Sequence, residues 1–193
     1  RLLVERACYD EALHIAKRAG EATLVDSPEK EGDHIGPLFD KIQFDRVQAM
    51  ISTGIDEGAT LLVGGLGRPD GMEAGWYVKP TIFADVSNDM RIAQEEIFGP
   101  VLVIIPFESE QEAVAIANDT PYGLTNYIQC GDQEQRQRVA RQLRSGMVET
   151  NSVGFGMGSP FGGYKQSGNG REGGIFGLHE FMEIKAVSCW EDV

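Results

Sequence analysis

The sequence has little cysteine or histidine and no long apolar run. Its three cysteines and three histidines are scattered singly along 193 residues, without the spacing of a disulfide framework or a metal site. We therefore expect no metal ion, and reduced thiols in a cytoplasmic protein. The longest apolar run, residues 101–106, has the length of a strand and is too short to span a membrane.

Positive charge is also scarce. The chain has 17 Lys and Arg residues against 30 Asp and Glu residues, which gives a formal net charge of −13. A surface of this sign repels phosphates, so the composition argues against nucleic acids and anionic membranes as partners. The chain starts at Arg1, with neither Met nor a signal peptide. We therefore expect it to be cut from a longer protein or processed.

Strand-like and helix-like segments alternate along most of the chain. Apolar spacing predicts helices over residues 9–24, 40–58, 109–120, 132–146 and 175–182, and strands over residues 2–5, 59–65, 100–107, 123–130, 147–150 and 185–190. Residues 75–86 are predicted to form two short extended pieces hinged at Pro80. This alternation predicts an α/β fold with a mostly parallel, Rossmann-like sheet flanked by helices. The run PVLVIIPF is rich in branched residues and predicts a central strand covered on both faces.

The predicted helices have recognisable ends and apolar faces. In the second helix, Asp40 is the expected N-cap and Gly58 the expected stop. Ser109 and Glu112 form a capping-box pattern at the start of the third. We expect apolar stripes on the first helix at Ala12, Ile15, Ala16 and Ala19, and on the second at Ile42, Val47, Met50, Ile51 and Ile55.

Two adjacent carboxylates, Glu95 and Glu96, precede the central strand. Neighbouring side chains of an extended chain point to opposite faces, so the pair does not suit a shared acid–base reaction. One interpretation is that both are solvated. The other places one of them in a cleft outside the strand ends, where it accepts hydrogen bonds from a vicinal diol such as a ribose.

Glycine dominates residues 154–174, where we expect an irregular loop with closely packed backbones. The stretch from Gly168 to Gly173 reads G-x-G-x-x-G, yet it lacks the preceding apolar strand of a dinucleotide-binding turn. Phe155 and Phe161 either plug the core below this loop or line a substrate pocket. Cys8, near the start of a helix, is interpreted as a packing thiol rather than a nucleophile.

Four motifs, in the order EEIFGPV, NDTPYGLTNYI, SGMVETNS and PFGGYKQSGNGREGG, resemble the aldehyde dehydrogenase superfamily along essentially the whole chain. The resemblance implies the catalytic-domain fold of that family. It also implies an enzyme that oxidises a small aldehyde to a carboxylic acid through a cysteine thiohemiacetal, with hydride transfer to NAD or NADP. A homodimer or homotetramer is the implied assembly.

The resemblance assigns roles to six residues. Glu96 matches the glutamate that binds the nicotinamide-side ribose, and Phe98 matches the ring beside the nicotinamide. Gln43 and Arg46 match helix positions that reach the same ribose region. The aromatic walls of the aldehyde pocket correspond to Phe155 and Phe161.

The resemblance covers the C-terminal part of the family's catalytic domain. The nucleophilic cysteine, the general base and the dinucleotide-binding domain are expected upstream of Arg1. Residues 1–183 then form a partial catalytic domain and residues 184–193 a C-terminal strand for oligomer assembly. We therefore expect the chain alone to be inactive.

The alternative is a non-enzymatic, self-associating assembly module. A hydrolase using Glu95 and Glu96 is disfavoured, because its carboxyl groups must face each other across a substrate.

Overall fold

A computed structural model describes residues 1–189, and the chain forms two compact units that meet in sequence between Ala113 and Val114. The elements that begin in the first unit are β1 (Leu2–Glu5), α1 (Tyr9–Ala22), β2 (Leu24–Val25), β3 (His34–Ile35), α2 (Lys41–Asp56), β4 (Thr60–Val63), β5 (Thr81–Ala84), α3 (Arg91–Gln94), β6 (Val101–Phe107) and α4 (Glu110–Asn118). The expected α/β fold is confirmed. No helix in the described part of the chain is both long and apolar enough to cross a membrane.

The largest sheet of the first unit has four strands in the order β1-β6-β5-β4. β6 pairs in parallel with β1 and β5, whereas β4 pairs antiparallel with β5. The central position of β6 is as predicted, but the four-stranded sheet is mixed and the short strands β2 and β3 form a separate parallel pair. Residues 64–80, between β4 and β5, contain no helix. A parallel return usually needs a helical crossover, so here the chain runs back antiparallel.

Both faces of β6 are covered. Residues 103–105 are all buried, although successive side chains of a strand point to opposite faces. On one face Ile104 joins Ile82 of β5 and Tyr9 of α1 in a core cluster. Phe83 follows Ile82 on β5 and is fully buried on the opposite face, where α2 packs. The core of the first unit therefore lies on both sides of its sheet.

The buried face of α1 is offset from the predicted stripe. Ala16 packs on the sheet, but Ile15 is half-exposed and Ala19 is exposed. The residues that face the sheet are Tyr9, Leu13, Ala16 and Gly20. Gly20 belongs to this face because a Cβ there would lie 2.8 Å from Ile82 Cδ1. The helix approaches the sheet through a residue that hydrophobic spacing does not count as apolar.

The predicted limits of α2 are confirmed. Asp40 Oδ1 accepts a hydrogen bond of 2.7 Å from the backbone N–H of Gln43, as an N-cap does. At the other end, Gly58 has a φ of +88° and the next N–H bonds back to Gly54 O at 3.0 Å. This is the Schellman arrangement that terminates helices at glycine. Of the predicted stripe, Val47, Met50 and Ile51 are buried, whereas Ile42 and Ile55 are exposed.

The second unit contains β7 (Thr125–Ile128), α5 (Gln133–Gln142), β8 (Met147–Thr150) and α6 (Gly174–His179), and β7 and β8 pair in parallel. Helix α5 ends at Gln142, before the predicted stop at Gly146. Gly146 is needed for a different reason, because a Cβ there would lie 1.7 Å from Gly162 O. The glycine-rich loop therefore packs backbone against backbone, as its composition predicts.

The strand predicted over residues 185–190 is absent from the described residues 185–189, and Trp190 lies outside them. Extended backbone becomes a strand only when a neighbouring strand pairs with it. Within the described part of this chain, the segment has no such neighbour.

Candidate functional site

The loop of residues 95–100 joins α3 to β6 and lies at the amino end of β6. It packs closely on α2, because a Cβ added to Gly99 would lie 2.7 Å from Val47 Cγ2. The adjacent Phe98 has a left-handed backbone, with a φ of +57°. That conformation costs a non-glycine residue about 1–2 kcal/mol, so contacts around the loop must maintain it.

Two side chains of α2 hold this loop through its carbonyl groups. Gln43 Nε2 donates hydrogen bonds to Ile97 O at 3.1 Å and to Phe98 O at 2.7 Å. Arg46 Nη2 donates to Glu96 O at 2.6 Å. Both hydrogens of the Gln43 amide are thereby used on the loop backbone. The loop conformation is fixed from α2, which is itself fixed by its Asp40 cap.

The two adjacent carboxylates have different surroundings, as their divergence in an extended chain predicts. Glu95 forms a two-point contact with Arg91, at 2.6 Å from Nε to Oε1 and 3.1 Å from Nη2 to Oε2. Hydrogen bonding to Arg91 lowers the pKa of Glu95. The carboxylate of Glu96 is exposed and makes no hydrogen bond or ion pair with a described residue. Its oxygens are available to an external donor.

The ring of Phe98 lies beside this carboxylate in sequence and is 72% exposed. The exposed ring contributes little hydrophobic stabilisation to offset the strain of its left-handed backbone. The loop therefore offers one open acidic group and one open aromatic face at a fixed backbone. A molecule with hydroxyl groups and a flat ring is one that such a pair of side chains could contact.

The opposite edge of the sheet, at the carboxyl ends of its parallel strands, is occupied by internal polar contacts. Arg6 pairs with Glu108 at 2.9 Å, and Tyr9 Oη accepts a hydrogen bond of 2.7 Å from Asp85 N. Burial raises the pKa of Tyr9. Ligands of α/β sheets usually lie at this edge. Here Arg6, Glu108 and Tyr9 bond within the chain, whereas the open carboxylate of Glu96 lies at the amino end.

A cluster that the sequence did not reveal packs beside α2. The guanidinium of Arg68 lies 4.7 Å from the ring centre of Phe44 and 5.7 Å from that of Trp76. Arg68 Nε donates to Gly75 O at 2.9 Å, and Leu38 N donates to Trp76 O at 2.9 Å. The segment of residues 66–76 thus supports the first turn of α2, next to Gln43. From sequence this glycine-rich segment is indistinguishable from an ordinary surface turn.

An open groove of about 350 Å³ lies next to the loop on the α1 side of the sheet. It is lined by the end of α1, by the start of β5 and by the start of β6 with the preceding Gly99 and Pro100. In the described part of the chain, no group of three His, Cys, Asp or Glu residues is arranged to hold a metal ion.

The remaining predicted site residues lie in the second unit. Phe155 and Phe161 are both about half-exposed, at 47% and 49%. Phe161 exchanges two backbone hydrogen bonds of 2.7 Å with Glu172, which fixes its place in the glycine-rich loop. The G-x-G-x-x-G stretch follows a 3-10 helix (Lys165–Ser167) rather than a strand, so it is not a dinucleotide-binding turn.

Comparison with known proteins gives a consistent picture. A family model described as the aldehyde dehydrogenase family matches residues 1–187. A 3-succinoylsemialdehyde-pyridine dehydrogenase of a Pseudomonas species is 49% identical over 191 residues, covering 99% of this chain and 40% of that protein. A putative aldehyde dehydrogenase of Staphylococcus haemolyticus is 46% identical over 188 residues, covering 97% of this chain and 40% of that protein.

Solved structures agree with these relatives. An aldehyde dehydrogenase from Bartonella henselae superposes with a TM-score of 0.95 at 56% identity, over 97% of this chain and 40% of that one. A mutant of aldehyde dehydrogenase C from Pseudomonas syringae, in complex with NAD+ and octanal, superposes with a TM-score of 0.93 at 47% identity, over 96% of this chain and 38% of that one. The chain spans about 40% of the length of the curated relatives it matches.

Proposed function

The chain belongs to the aldehyde dehydrogenase family, and we propose that it forms the C-terminal part of an enzyme that oxidises an aldehyde to a carboxylic acid with NAD or NADP. The observation that carries the proposal is a loop whose backbone is clamped by α2 and which exposes both the carboxylate of Glu96 and the ring of Phe98. The P. syringae relative solved with NAD+ and octanal supports the same reaction class.

The residues of the loop fit a nicotinamide cofactor. A carboxylate accepts two hydrogen bonds, so Glu96 matches the paired hydroxyl groups of a ribose. The cofactor, when bound, supplies the acceptor for the hydride that leaves the aldehyde carbon. Phe98 presents a flat apolar face that excludes water from the neighbouring ring. Positioning of this kind matters because hydride transfer tolerates little displacement of the two reacting carbons.

Gln43 and Arg46 act in this proposal mainly on the loop. Their side chains donate to the carbonyls of residues 96–98, so they fix the backbone from which the Glu96 side chain projects. Arg46 keeps further guanidinium donors for the cofactor, and Gln43 keeps its Oε1 acceptor. Their direct contact with the ribose remains a prediction. Phe155 and Phe161 are proposed to line the aldehyde pocket.

The reaction needs a thiol nucleophile that forms the thiohemiacetal, and Cys8 does not suit this role. Cys8 follows the carboxyl end of β1, whereas the Glu96 loop precedes the amino end of the parallel neighbour β6. β6 has seven residues. At about 3.3 Å per residue, the two edges are roughly 20 Å apart. We therefore propose that the nucleophile lies upstream of Arg1 and that the 193-residue chain alone is inactive.

The test is aldehyde-dependent NADH formation, measured with a panel of aldehydes. The protein expressed from its complete gene is expected to turn over and to lose activity on thiol alkylation. The 193-residue chain is expected to give the blank rate. Turnover by this chain that is abolished in a Cys8→Ser or a Cys130→Ser variant would overturn the assignment of the nucleophile. Absence of turnover by the complete protein would overturn the proposed reaction.

A self-associating assembly module is the second candidate, and one observation favours it. Large apolar side chains of the second unit are strongly exposed, among them Met157, Phe181 and Ile184. Surfaces of this kind mark association sites. Size-exclusion chromatography with light scattering distinguishes the cases. The enzyme proposal expects a dimer or tetramer that oxidises aldehydes when the complete gene is expressed, whereas the module expects association without oxidation.

A further inference from the structure

Two consecutive non-glycine residues with left-handed backbones follow β8. Asn151 has a φ of +49° and Ser152 a φ of +57°. This conformation is unfavourable for a residue other than glycine and persists only where neighbouring contacts determine it. Glycine would adopt this conformation freely, and it occurs nearby at positions 154, 156 and 158.

Both side chains bond to the end of the neighbouring strand β7. Asn151 Oδ1 accepts a hydrogen bond of 3.0 Å from Cys130 N, and Asn151 Nδ2 donates one of 3.1 Å to Cys130 O. Gln129 Nε2 donates to Ser152 Oγ at 3.0 Å. The last backbone hydrogen bond between the two segments runs from Asn151 N to Ile128 O, at 2.8 Å. Beyond it, the side-chain amide of Asn151 takes the place of a paired backbone by bonding to both the N–H and the C=O of Cys130.

This set of contacts turns the chain at the carboxyl end of the β7–β8 pair. Val153 N donates to Thr150 O at 3.1 Å, which closes a tight turn directly after the strand. Phe155 follows two residues later with a half-exposed ring. The direction in which the chain leaves β8, and so the position of the Phe155 ring, depends on the left-handed pair and its bonds to residues 129–130.

We propose that Asn151 is a positioning residue for the aldehyde pocket, acting through Cys130 and the turn to place Phe155. The inference rests on the proposed function, because it takes the Phe155 segment as a wall of that pocket. Asn151 itself need not touch the substrate. Its amide holds the strained turn, and the turn holds the ring.

The test compares three variants of the protein expressed from its complete gene. Asn151→Gly keeps the left-handed backbone accessible and removes both amide bonds. Asn151→Asp keeps the acceptor for Cys130 N and loses the donor to Cys130 O. Asn169→Gly is the matched control, because Asn169 lies in the glycine-rich loop and its side chain makes no hydrogen bond or ion pair with a described residue. Steady-state kinetics are measured separately for aldehyde and cofactor, with hydrogen–deuterium exchange at Cys130.

For Asn151→Gly we expect the KM for aldehyde to rise about tenfold, because without its two amide bonds the turn no longer keeps Phe155 in one place. The KM for the cofactor should stay within about twofold, exchange at Cys130 should become faster, and Asn151→Asp should be intermediate. Faster exchange at Cys130 with an unchanged KM for aldehyde would overturn the positioning role and leave the proposed reaction intact. If the unaltered protein oxidises no aldehyde, the proposed function fails and the positioning role fails with it, whatever the exchange data show.

Discussion

The two units of the chain are stabilised in different ways. All but one of the buried apolar side chains among the described residues belong to the first unit, the exception being Met147. The second unit exposes large apolar side chains and is held by polar bonds to its backbone, such as those from Lys165 to the carbonyls of Asn118 and Thr120. The first unit thus carries its own hydrophobic core, whereas the second leaves its apolar surface available for another surface to cover.

The largest expected effect comes from truncating a core ring of the first unit. Phe83 is fully buried, so Phe83→Ala should lower the free energy of unfolding by about 3–5 kcal/mol. Phe181→Ala is the matched change in the second unit, where the ring is 89% exposed, and should stay within about 0.5 kcal/mol. Urea unfolding of the chain measures both. Similar losses in the two variants would show that the contrast between the units is wrong.

A smaller effect is expected when the clamp on the loop is removed. Gln43→Leu deletes both donors to the carbonyls of Ile97 and Phe98 and should cost about 1–2 kcal/mol of unfolding free energy. Gln142→Leu is the control, because the Gln142 amide bonds only within its own exposed helix end, to Arg138 O at 3.3 Å. If the two variants unfold at the same urea concentration, the clamp does not stabilise the loop.

Replacing a strained left-handed residue by glycine should change the stability in opposite directions in the two units. Phe98→Gly removes a left-handed non-glycine residue with an exposed ring, so stability should be unchanged or higher by up to about 1 kcal/mol while cofactor-dependent activity falls. Lys165→Gly removes the same kind of strain, at a φ of +55°, but also two ammonium–carbonyl bonds. We expect it to lower stability by about 1 kcal/mol. Thermal unfolding measures the stability of both variants, and an equal shift of the melting temperature in the two would contradict this prediction.

The smallest effect concerns Glu95 and pH. Its pKa is lowered by hydrogen bonding to Arg91, so the ionised carboxylate stabilises the fold above the ordinary value of about 4.3. This contribution is lost as the pH falls through the lowered pKa of the folded state. Glu95→Gln should therefore unfold slightly earlier than the unaltered chain at neutral pH, and the difference should vanish in acid and shrink in high salt. A difference that grows in acid would exclude this ion pair as its source.

Much of the first unit can be predicted from the sequence because its signals are local. The branched run of β6 identifies a strand covered on both faces, and Asp40 and Gly58 identify the ends of α2. The packing of helices and strands on one another, by contrast, depends on residues far apart in the sequence. The buried face of α1 includes Gly20, which has no apolar side chain and therefore gives no hydrophobic signal. Strand β4 is antiparallel to β5 because the long connection between them contains no helix.

The candidate site shows the same division. The sequence motif predicts Glu96 and Phe98 as site residues, but the clamp from Gln43 and the Arg68 cluster depend on contacts between residues distant in sequence. The pairing of Asn151 with Cys130 depends on the register of two strands, which no local pattern reports. Hydrogen bonds from side chains to backbone carbonyls produce no residue spacing in the sequence from which they could be predicted.

The central claim is that Glu96, and not its neighbour Glu95, holds the cofactor ribose. The most direct measurement is kcat/KM for NAD+ in Glu96→Gln and Glu95→Gln variants of the protein expressed from its complete gene. Loss of hydrogen bonds to a charged group predicts a decrease of about 10- to 100-fold for Glu96→Gln and less than about twofold for Glu95→Gln. Equal decreases at the two positions, or an unchanged value for Glu96→Gln, would contradict the account.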